Sequence, residues 1–358
     1  MPHHHTHIST LGEFGLIDRI RELVTLRVDD TRVHNRLLKG IADDAAVFEP
    51  TPGKVQLLTT DALVEGIHFD LTFTSLQHLG WKAMVTSFSD IAAMCGVPRY
   101  ATIALILPSK ISVEMVEEFY RGAASAGKKY SCLIVGGDTT TTHTNMTVVV
   151  TIVGEVDEQR VAYRSAAKQG DYLCVSGHLG ASLAGLKVLQ REKQKFHMID
   201  NQQSFQPALE LYVPAIEKHL MPKPRLDIAA ILANEVQVRG MIDISDGLAS
   251  EVHHLCAASG VGAALYEHNL PIDAITQKIA LEFSEQPLDY ALFSGEEYEL
   301  LFTISDEQYE KLERLTNDVT VIGRMTEKEK GIMLIREQGE HVSLPFGGWD
   351  HFRRTEEH

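Results

Sequence analysis

Residues 133–140 read Leu-Ile-Val-Gly-Gly-Asp-Thr-Thr, and the same kind of pattern recurs along the chain. Three aliphatic residues predict a short buried strand, and a glycine pair and an acidic residue follow it directly. Working outward, residues 100–107 and 146–156 are rich in aliphatic and β-branched residues, which predicts two further strands. A helix is predicted from Ser112 to about Gly127. This order of elements indicates an α/β or α+β domain.

Another strand and another helix precede this group. Residues 55–61, Val-Gln-Leu-Leu-Thr-Thr-Asp, predict a strand that carries polar side chains at its carboxyl end. A long helix is predicted from about Ser75 to Met94, because Gly96 and Pro98 follow and end it. The first domain therefore has the order strand, helix, strand, helix, strand, strand.

The chain has 358 residues, enough for two hydrophobic cores. We predict one domain over residues 1–156 and a second over residues 157–358. In the second domain the patterns predict strands at 172–175, 240–244, 298–304 and 319–323 and helices at 180–189 and 248–259. The polar stretch at 190–206 is interpreted as helix ends and loop.

Charge and composition exclude several classes of protein. The chain has 33 basic and 49 acidic residues, a net charge of −16, and its basic residues form no stripe, so nucleic acid and anionic membranes are poor candidate partners. The four cysteines lack metal-ligand spacing and are predicted to be small buried residues in a reducing compartment, the cytoplasm. Neither a signal peptide nor a membrane-spanning segment is expected. The histidines at positions 3–5 and 7 are interpreted as a tail without a role in function.

Five short acidic motifs lie next to apolar segments. A carboxylate in such a place needs a partner, because removing it from water alone is costly. Capping of a turn or helix is one explanation, and it is the better one for any single motif. A shared Mg²⁺ is the other, and the adjacent acids at 43 and 44 and the number of motifs favour it. The motifs are Asp43-Asp44, Thr59-Thr60-Asp61, Ser89-Asp90, Gly137-Asp138-Thr139 and Asp243-Ile244-Ser245-Asp246-Gly247.

Two other patterns limit the mechanism. An EF-hand starting at Asp243 is excluded, because His254 occupies the position of the required glutamate. Residues 180–185, Gly-Ala-Ser-Leu-Ala-Gly, are similar to a phosphate-binding loop, but Leu186 replaces the essential lysine. For these glycines an anion-binding turn and close helix packing remain equally favoured.

Taken together, these motifs resemble the thiamine-monophosphate kinase family, within the superfamily of aminoimidazole ribonucleotide synthetase and selenophosphate synthetase. The resemblance extends over nearly the whole chain. It is carried by Gly12-Glu13-Phe14, Asp43-Asp44-Ala45, Thr60-Asp61, Gly66-Ile67-His68-Phe69, Ser89-Asp90-Ile91-Ala92-Ala93-Met94, Gly136-Gly137-Asp138-Thr139-Thr140, Pro222-Lys223-Pro224-Arg225, Asp243-Ile244-Ser245-Asp246-Gly247-Leu248, Ser294-Gly295-Glu296-Glu297-Tyr298-Glu299-Leu300 and Trp349-Asp350-His351-Phe352. The sequence departs from the family pattern at Ala42, Ser294 and Glu297, where the family has glycine, glycine and aspartate.

The resemblance implies a two-domain α/β protein with the aminoimidazole ribonucleotide synthetase-like fold. It implies a homodimer in which the N-terminal domains form a β-barrel across the interface. It also implies ATP and several Mg²⁺ ions in a cleft between the domains, with a C-terminal domain that completes the active site. The implied activity is ATP-dependent phosphorylation of thiamine monophosphate to thiamine diphosphate.

The resemblance further implies a set of functional residues. The implied metal ligands are Asp44, Thr59, Thr60, Asp61, Asp90, Asp138, Asp243 and Asp246, of which Asp44, Asp61, Asp138 and Asp246 are the implied catalytic residues. The implied ATP contacts are Tyr130, Gly137, Asp138, Arg164 and Ser245, and the implied contacts to thiamine monophosphate are His68, Glu296 and Trp349. Two alternatives stay open: another ATP-dependent enzyme of the superfamily, such as aminoimidazole ribonucleotide synthetase, and a non-catalytic regulator that binds nucleotide or metal.

Overall fold

A computed structural model describes residues 6–24, 31–41, 43–199 and 205–349. The histidines at positions 3–5, Ala42, and the motif residues 350–352 lie outside the described residues. The chain forms two compact units. The first unit comprises Met1–Ile91 and Gly96–Gln159, and the second comprises Ala92–Cys95 and Arg160–His358.

The first unit contains four helices and six strands among the described residues. Its helices are α1 (Ile8–Val24), α2 (Thr31–Arg36), α3 (Leu76–Ala93) and α4 (Val113–Tyr130), of which α3 ends in residues assigned to the second unit. Its strands are β1 (Leu37–Lys39), β2 (Val47–Phe48), β3 (Lys54–Val64), β4 (Val97–Pro108), β5 (Leu133–Thr142) and β6 (Thr147–Asp157).

The four long strands of the first unit form one sheet in the order β3-β6-β4-β5. Only the β4–β5 pair is parallel. Successive side chains of a strand point to opposite faces. Val148, Val150 and Ile152 of β6 are fully buried, whereas the alternate residues Val149 and Thr151 are partly exposed. We call the side of Val150 the buried face and the side of Val149 the open face.

Helices α3 and α4 pack closely because glycine replaces larger residues where they meet. A Cβ atom on Gly80 would lie 1.9 Å from the carbonyl oxygen of Phe119, and one on Gly122 would lie 1.9 Å from that of Gln77. The side chain of Ser112 caps α4 by accepting a hydrogen bond from the Met115 amide. The predicted helices at 75–94 and 112–127 are thus confirmed, with boundaries shifted by a few residues.

The second unit contains seven further helices and seven further strands among the described residues. The helices are α5 (Ala181–Met198), α6 (Val213–Leu220), α7 (Leu226–Asn234), α8 (Leu248–Ser259), α9 (Ala274–Glu282), α10 (Pro287–Phe293) and α11 (Asp306–Leu312). The strands are β7 (Tyr172–Ser176), β8 (Met241–Asp243), β9 (Gly262–Tyr266), β10 (Leu300–Ile304), β11 (Val319–Thr326), β12 (Ile332–Ile335) and β13 (His341–Ser343).

These seven strands form a single sheet in the order β13-β12-β9-β11-β7-β10-β8. The β9–β12 pair is parallel and the other pairs are antiparallel. Leu173, Ile242, Leu265 and Leu301 from this sheet pack with Val252 and other residues of α8 in one hydrophobic core. The short strand β8 ends at Asp243 and delivers the acidic motif that follows it.

The helix predicted at 180–189 is longer than expected. It continues as α5 to Met198, through the first part of the stretch at 190–206 that was expected to hold helix ends and loop. The Glu192 carboxylate accepts hydrogen bonds from Arg191 and Lys195, at 3.0 and 2.7 Å, and such local ion pairs stabilise a polar helix. In the part of the chain that the structure describes, no helix is both long and apolar enough to cross a membrane.

Candidate active site

The buried face of the first unit carries two carboxylates supplied with hydroxyl donors. Ser87 of α3 donates a 2.6 Å hydrogen bond to Asp61 of β3, and Thr59 donates to Asp90 of α3. Burial, and after it the negative charge of Asp90, raise the pKa of Asp61 to about 6, although the Ser87 hydrogen bond lowers it. Among the described residues Asp61 forms no ion pair with a lysine or arginine. Asp61 therefore carries a charge that the Ser87 hydroxyl only partly offsets.

The open face carries a second acidic group. Asp138 pairs in register with Ala104, which pairs with Val149, so Asp138 lies on the opposite face from Asp61. Asp44 and Asp138 line one pocket of about 870 Å³, the size of known small-ligand sites. Gly137 lines the same pocket, and a Cβ there would lie 2.0 Å from the Ile103 carbonyl oxygen. Only glycine fits at this position of β5.

The adjacent acids Asp43 and Asp44 differ in their surroundings. Lys39 forms a 3.2 Å ion pair with Asp43, and the Asp44 amide donates a 3.0 Å hydrogen bond to the Asp43 carboxylate. These contacts, Lys39 first, lower the pKa of Asp43. The repulsion from which a shared cation was inferred is therefore already reduced by a lysine.

The remaining predicted residues of the first unit are spread over three places. Thr60 lies on the open face, where its hydroxyl contacts that of Thr151 at 3.0 Å. His68 follows β3, and its Nδ1 accepts a 3.0 Å hydrogen bond from the Val64 amide. Tyr130 ends α4 beside the rings of Trp81 and Phe88 and is not among the residues that line the pocket of Asp138.

Three predicted motifs of the second unit lie side by side. The Glu296 amide donates to the Ser245 carbonyl oxygen at 2.7 Å, and the Trp349 amide donates to the Asp246 carbonyl oxygen at 2.9 Å. Gly348 has a φ of +144°, and a Cβ there would lie 2.5 Å from the Asp246 carbonyl oxygen. The structure therefore brings Ser245, Asp246, Glu296 and Trp349 together. Asp243 is buried directly before them at the end of β8.

Glu251 belongs to this group although sequence analysis missed it. Its Oε1 accepts a 3.1 Å hydrogen bond from the Asp246 amide, and its buried Oε2 has no hydrogen-bond partner. Burial, assisted by the charges of Asp246 and Asp243, raises the pKa of Glu251 to about 8, although the hydrogen bond from the Asp246 amide lowers it. The sequence holds one clue: Glu251 lies in the apolar stripe of α8 with Leu248, Val252 and Leu255.

Asp246 is not the N-cap residue of α8. The N-cap is Gly247, with a φ of +133°, and this residue makes no side-chain cap. Asp246 precedes it by one residue, in the loop between β8 and α8. The capping explanation, favoured for any single motif, therefore does not apply at the N-cap position of this helix.

The glycines at 180–185 have a structural explanation. A Cβ on Gly185 would lie 2.2 Å from the Ala215 carbonyl oxygen, so glycine allows α5 and α6 to approach closely. The first amides of α5 are already used: Ser182 donates to Glu297 at 3.0 Å and Leu183 donates to the Ser294 hydroxyl at 3.1 Å. Close helix packing, one of the two open alternatives, is confirmed.

Glu299, an acid of the motif at 294–300, has its charge balanced by basic side chains of the same unit. The Glu299 carboxylate is 3% exposed and accepts hydrogen bonds from Lys218, from Arg225 at 2.6 Å and from Ser176 at 2.6 Å. Arg225 also binds Asp227 and Asp318. This network connects the motif at 222–225 with the sheet and holds its charges in balance.

Arg164, a predicted ATP contact, lies in a short 3₁₀ helix, Arg164–Ala166. Its side chain is exposed, and its carbonyl oxygen accepts a 2.8 Å hydrogen bond from Ser259.

The predicted metal ligands suit Mg²⁺ in their chemistry. They offer carboxylate and hydroxyl oxygens, the donors this ion prefers, and Asp61 is a buried acid with a neighbouring acid. The described residues contain no cluster of three or more His, Cys, Asp or Glu side chains arranged to hold a metal ion. Mg²⁺ commonly uses one or two carboxylates together with phosphate oxygens and water, so pairs of acids fit it.

Comparison with known families defines the class of protein. Residues 42–156 match the model of the AIR synthase related protein N-terminal domain, and residues 168–336 match that of the C-terminal domain. The two models cover the four-stranded sheet of the first unit to within one residue, six of the seven strands of the second sheet and all five acidic motifs. The expected two-domain α/β fold of this superfamily is thereby confirmed.

Individual relatives show to which family of this superfamily the chain belongs. The chain is 33% identical to the thiamine-monophosphate kinase of Bacillus subtilis, over 96% of this chain and 100% of the relative. It is 35% identical to that of Aquifex aeolicus, over 96% and 99%. The chain belongs to the thiamine-monophosphate kinase family of AIR synthase related proteins.

Solved structures of similar proteins agree with this family assignment. One described as AaThiL complexed with AMPPCP and TMP is 35% identical, covers 96% of this chain and 98% of its own, and superposes with a TM-score of 0.72. The thiamine-monophosphate kinase of Stenotrophomonas maltophilia is 31% identical, over 95% and 100%, with a TM-score of 0.76. The hydrogenase maturation protein HypE, at 19% identity and a TM-score of 0.70, shares the fold.

Proposed function

We propose that the protein transfers the terminal phosphoryl group of ATP to thiamine monophosphate, which gives thiamine diphosphate and ADP. The observation that carries this proposal is the carboxylate of Asp61, which lies beside Asp90 and, in the part of the chain that the structure describes, forms no ion pair with a lysine or arginine. Phosphoryl transfer uses bound cations, and two neighbouring carboxylates are suited to bind one. The relative bound to AMPPCP, an ATP analogue, and to TMP, thiamine monophosphate in this family, supports the choice of substrates.

The chemistry needs positioning more than it needs a base. The acceptor is a phosphate monoester oxygen that is already ionised near neutral pH, so no side chain has to remove a proton. The obstacle is the repulsion between two anionic phosphate groups, and Mg²⁺ when bound supplies the opposing charge and a template for in-line transfer. The residues proposed to hold it are Asp44, Thr59, Thr60, Asp61, Asp90, Asp138, Asp243 and Asp246.

For the nucleotide, we assign Tyr130, Gly137, Asp138, Arg164 and Ser245. Gly137 leaves the strand backbone accessible in the pocket of the first unit. The exposed guanidinium group of Arg164 suits a phosphate, because it offers several donors in one plane. Ser245 is exposed in the loop that follows β8.

For thiamine monophosphate, we assign His68, Glu296 and Trp349. The indole of Trp349 is 53% exposed and presents a flat surface on which an aromatic ring can stack. Because Nδ1 of His68 accepts a hydrogen bond from the Val64 amide, the ring is held in place after β3, and a neutral His68 carries its hydrogen on Nε2. Glu296 supplies a carboxylate for the organic part of the substrate.

We further propose a cytoplasmic homodimer in which the first units join their sheets into a β-barrel, with the domain boundary near residue 156. Support comes from β3, an eleven-residue strand at the edge of its sheet, since long open edges invite pairing. Leu58 of β3 is 75% exposed on the open face, where a partner would cover it. The four cysteines are all buried and free, as a reducing compartment allows.

Incubation of the purified protein with Mg²⁺, ATP and thiamine monophosphate tests the function, with thiamine diphosphate followed by chromatography. We expect the product to form only when all three are present. Thiamine and an aminoimidazole ribonucleotide precursor are the substrate controls, and EDTA is the metal control. If ATP were consumed with the aminoimidazole precursor but not with thiamine monophosphate, the protein would be another ATP-dependent enzyme of the superfamily. ATP binding without any product would favour a regulator.

A further inference from the structure

Glu296 is held in an unusual backbone conformation. Its φ of +60° lies in the left-handed region, which residues other than glycine rarely adopt, and Tyr298 shares it with a φ of +53°. The hydrogen bonds of these two residues to the carbonyl oxygens of Ser245 and Ile244, at 2.7 and 2.8 Å, keep the loop in this form. Strain of this kind persists where the surroundings fix it, and it concentrates at functional sites.

A buried histidine contacts the side chain of Glu296. His219 of α6 is 4% exposed, and its Nδ1 lies 3.4 Å from Oε2 of Glu296 and 3.2 Å from the hydroxyl oxygen of Ser182. A carboxylate only accepts hydrogen bonds, so a favourable contact requires the hydrogen of His219 on Nδ1, and the Ser182 hydroxyl oxygen then accepts from the same Nδ1 hydrogen. Glu296 itself is partly exposed, at 25% of its side chain, so one part of it faces the protein and another faces solvent.

The amino terminus of α5 anchors both sides of this contact. The Ser182 hydroxyl touches His219, and the Ser182 amide donates to the buried Glu297 carboxylate at 3.0 Å. The Ser294 hydroxyl donates to the same Glu297 oxygen at 2.7 Å. Ser294 and Glu297, two positions at which the sequence departs from the family pattern, therefore contact each other on either side of Glu296.

We propose that His219 is a positioning residue that fixes the carboxylate of Glu296 for binding of the phosphate-acceptor substrate, and that Ser182 fixes His219. This inference rests on the proposed function, because it takes Glu296 as a contact to the acceptor. A free glutamate side chain samples many rotamers, and a substrate that binds it must first order it. Held by His219, Glu296 is already ordered, and the acceptor binds more tightly for that reason.

The position of His219 makes its effect specific to one substrate. It lies on α6 and touches Glu296, which we assign to the acceptor, whereas the assigned nucleotide residues Arg164 and Ser245 lie in the 3₁₀ helix Arg164–Ala166 and in the loop after β8. Its loss is therefore expected to weaken binding of the acceptor and to leave binding of ATP unchanged. A purely structural role would change both constants and the melting temperature together.

A double-mutant cycle on the full-length protein tests this, with steady-state kinetics on thiamine monophosphate and on ATP. We expect His219→Gln to raise KM for thiamine monophosphate about tenfold, with KM for ATP and kcat within about twofold of wild type. Glu296→Gln is expected to raise the same KM at least as much. Because His219 acts through Glu296, the double variant should differ from Glu296→Gln by less than about twofold. Ser182→Ala should raise the same KM about threefold, since it removes only the outer contact.

His268→Gln is the matched control, since it makes the same change at an exposed histidine of the second unit and should leave all constants unchanged. Effects that multiply in the double variant would overturn the inference, as would an unchanged KM in both His219→Gln and Ser182→Ala. If His219→Gln fails to fold, Ser182→Ala decides alone, and equal changes in both KM values would contradict the proposal. An inactive wild type would refute the proposed function itself, whereas an active wild type with a normal Glu296→Gln variant would refute only this inference.

Discussion

Asp61 in the first unit and Glu299 in the second are buried acids in motifs of the same kind, but their surroundings differ. Glu299 accepts from Lys218, Arg225 and Ser176, so the fold supplies its counter-charges. Asp61 receives a hydroxyl hydrogen bond and faces another acid, Asp90, and its pKa is raised to about 6, chiefly by burial. We infer that a buried acid with an internal cation stabilises the fold, and that one without it is kept to bind a cation from solution.

The same distinction applies within each unit. Asp43 has Lys39 beside it, whereas Asp44 lines the pocket with Asp138. In the second unit Glu251 is buried next to Asp243 and Asp246, and among the described residues it forms no ion pair with a lysine or arginine. Five substitutions distinguish the acids that stabilise the fold from the acids that serve the reaction.

Asp61→Asn should have the largest effect on activity. The amide keeps the size of the side chain and can still accept from Ser87, but it removes the charge proposed to hold Mg²⁺. We expect kcat/KM to fall about 1000-fold, equivalent to about 4 kcal/mol. The melting temperature in EDTA should stay the same or rise, because a costly buried charge is gone. Turnover near the wild-type value would exclude Asp61 from the metal site.

Glu299→Gln should show the reverse. It leaves Lys218 and Arg225 buried without the carboxylate that balances them, and we expect the free energy of unfolding to fall by about 3 kcal/mol. The loss is at the low end for a buried pair, because Arg225 keeps Asp227 and Asp318. Denaturant unfolding at pH 7.5 measures it. A stability equal to that of wild type, with activity lost, would reverse the roles we assign to Glu299 and Asp61.

Glu251 predicts a pH dependence of stability. Its pKa is about 8 in the folded protein and near 4.5 when unfolded, so between these values the folded state binds more protons. The free energy of unfolding therefore falls as pH rises from about 4.5 to about 8. Glu251→Gln, which has no such proton to lose, should be more stable than wild type by at least about 1 kcal/mol at pH 8.5, and similar at pH 5.

Thermal unfolding of both proteins in EDTA at the two pH values checks this prediction. EDTA is needed because a bound cation would stabilise the ionised form of the neighbouring acids. Equal differences between variant and wild type at pH 5 and pH 8.5 would show that the proton on Glu251 does not contribute.

Asp43→Asn should have the smallest effect. Its ion pair with Lys39 is exposed to solvent, which screens it, so the pair contributes little to stability. We expect turnover within about twofold of wild type, whereas the same change at the next residue, Asp44→Asn, should reduce turnover at least about 100-fold. Equal losses of turnover in Asp43→Asn and Asp44→Asn would indicate instead that both carboxylates bind one shared cation.

The sequence predicted those elements whose determinants are local. The alternating pattern of β6, the stop after α3 and the glycine that ends α8 each lie within a few residues, and the predicted bounds of α8, 248–259, are confirmed. The short strands β9, β12 and β13 were not predicted, because their pairing depends on distant segments. The length of α5 was missed because side-chain ion pairs, rather than apolar periodicity, extend it.

Sequence analysis predicted some residues of the candidate site and missed others. The adjacency of Ser245, Glu296 and Trp349 follows from the family resemblance, and neither periodicity nor composition indicates it. Glu251 and His219 were missed because each lies on a helix, where an acid or a histidine usually faces solvent, and only the packing of the second unit buries them. The roles of the predicted ligands remain predictions that the substitutions above address.

Binding of Mn²⁺ in place of Mg²⁺, measured by electron paramagnetic resonance in the presence of AMPPCP, tests the central distinction most directly. We predict that wild type binds more than one ion, that Asp61→Asn loses at least one of them, and that Glu299→Gln, at a temperature where it is folded, keeps them all. Equal Mn²⁺ binding by wild type and Asp61→Asn would contradict the account, because the acid without an internal cation would then not be a metal ligand.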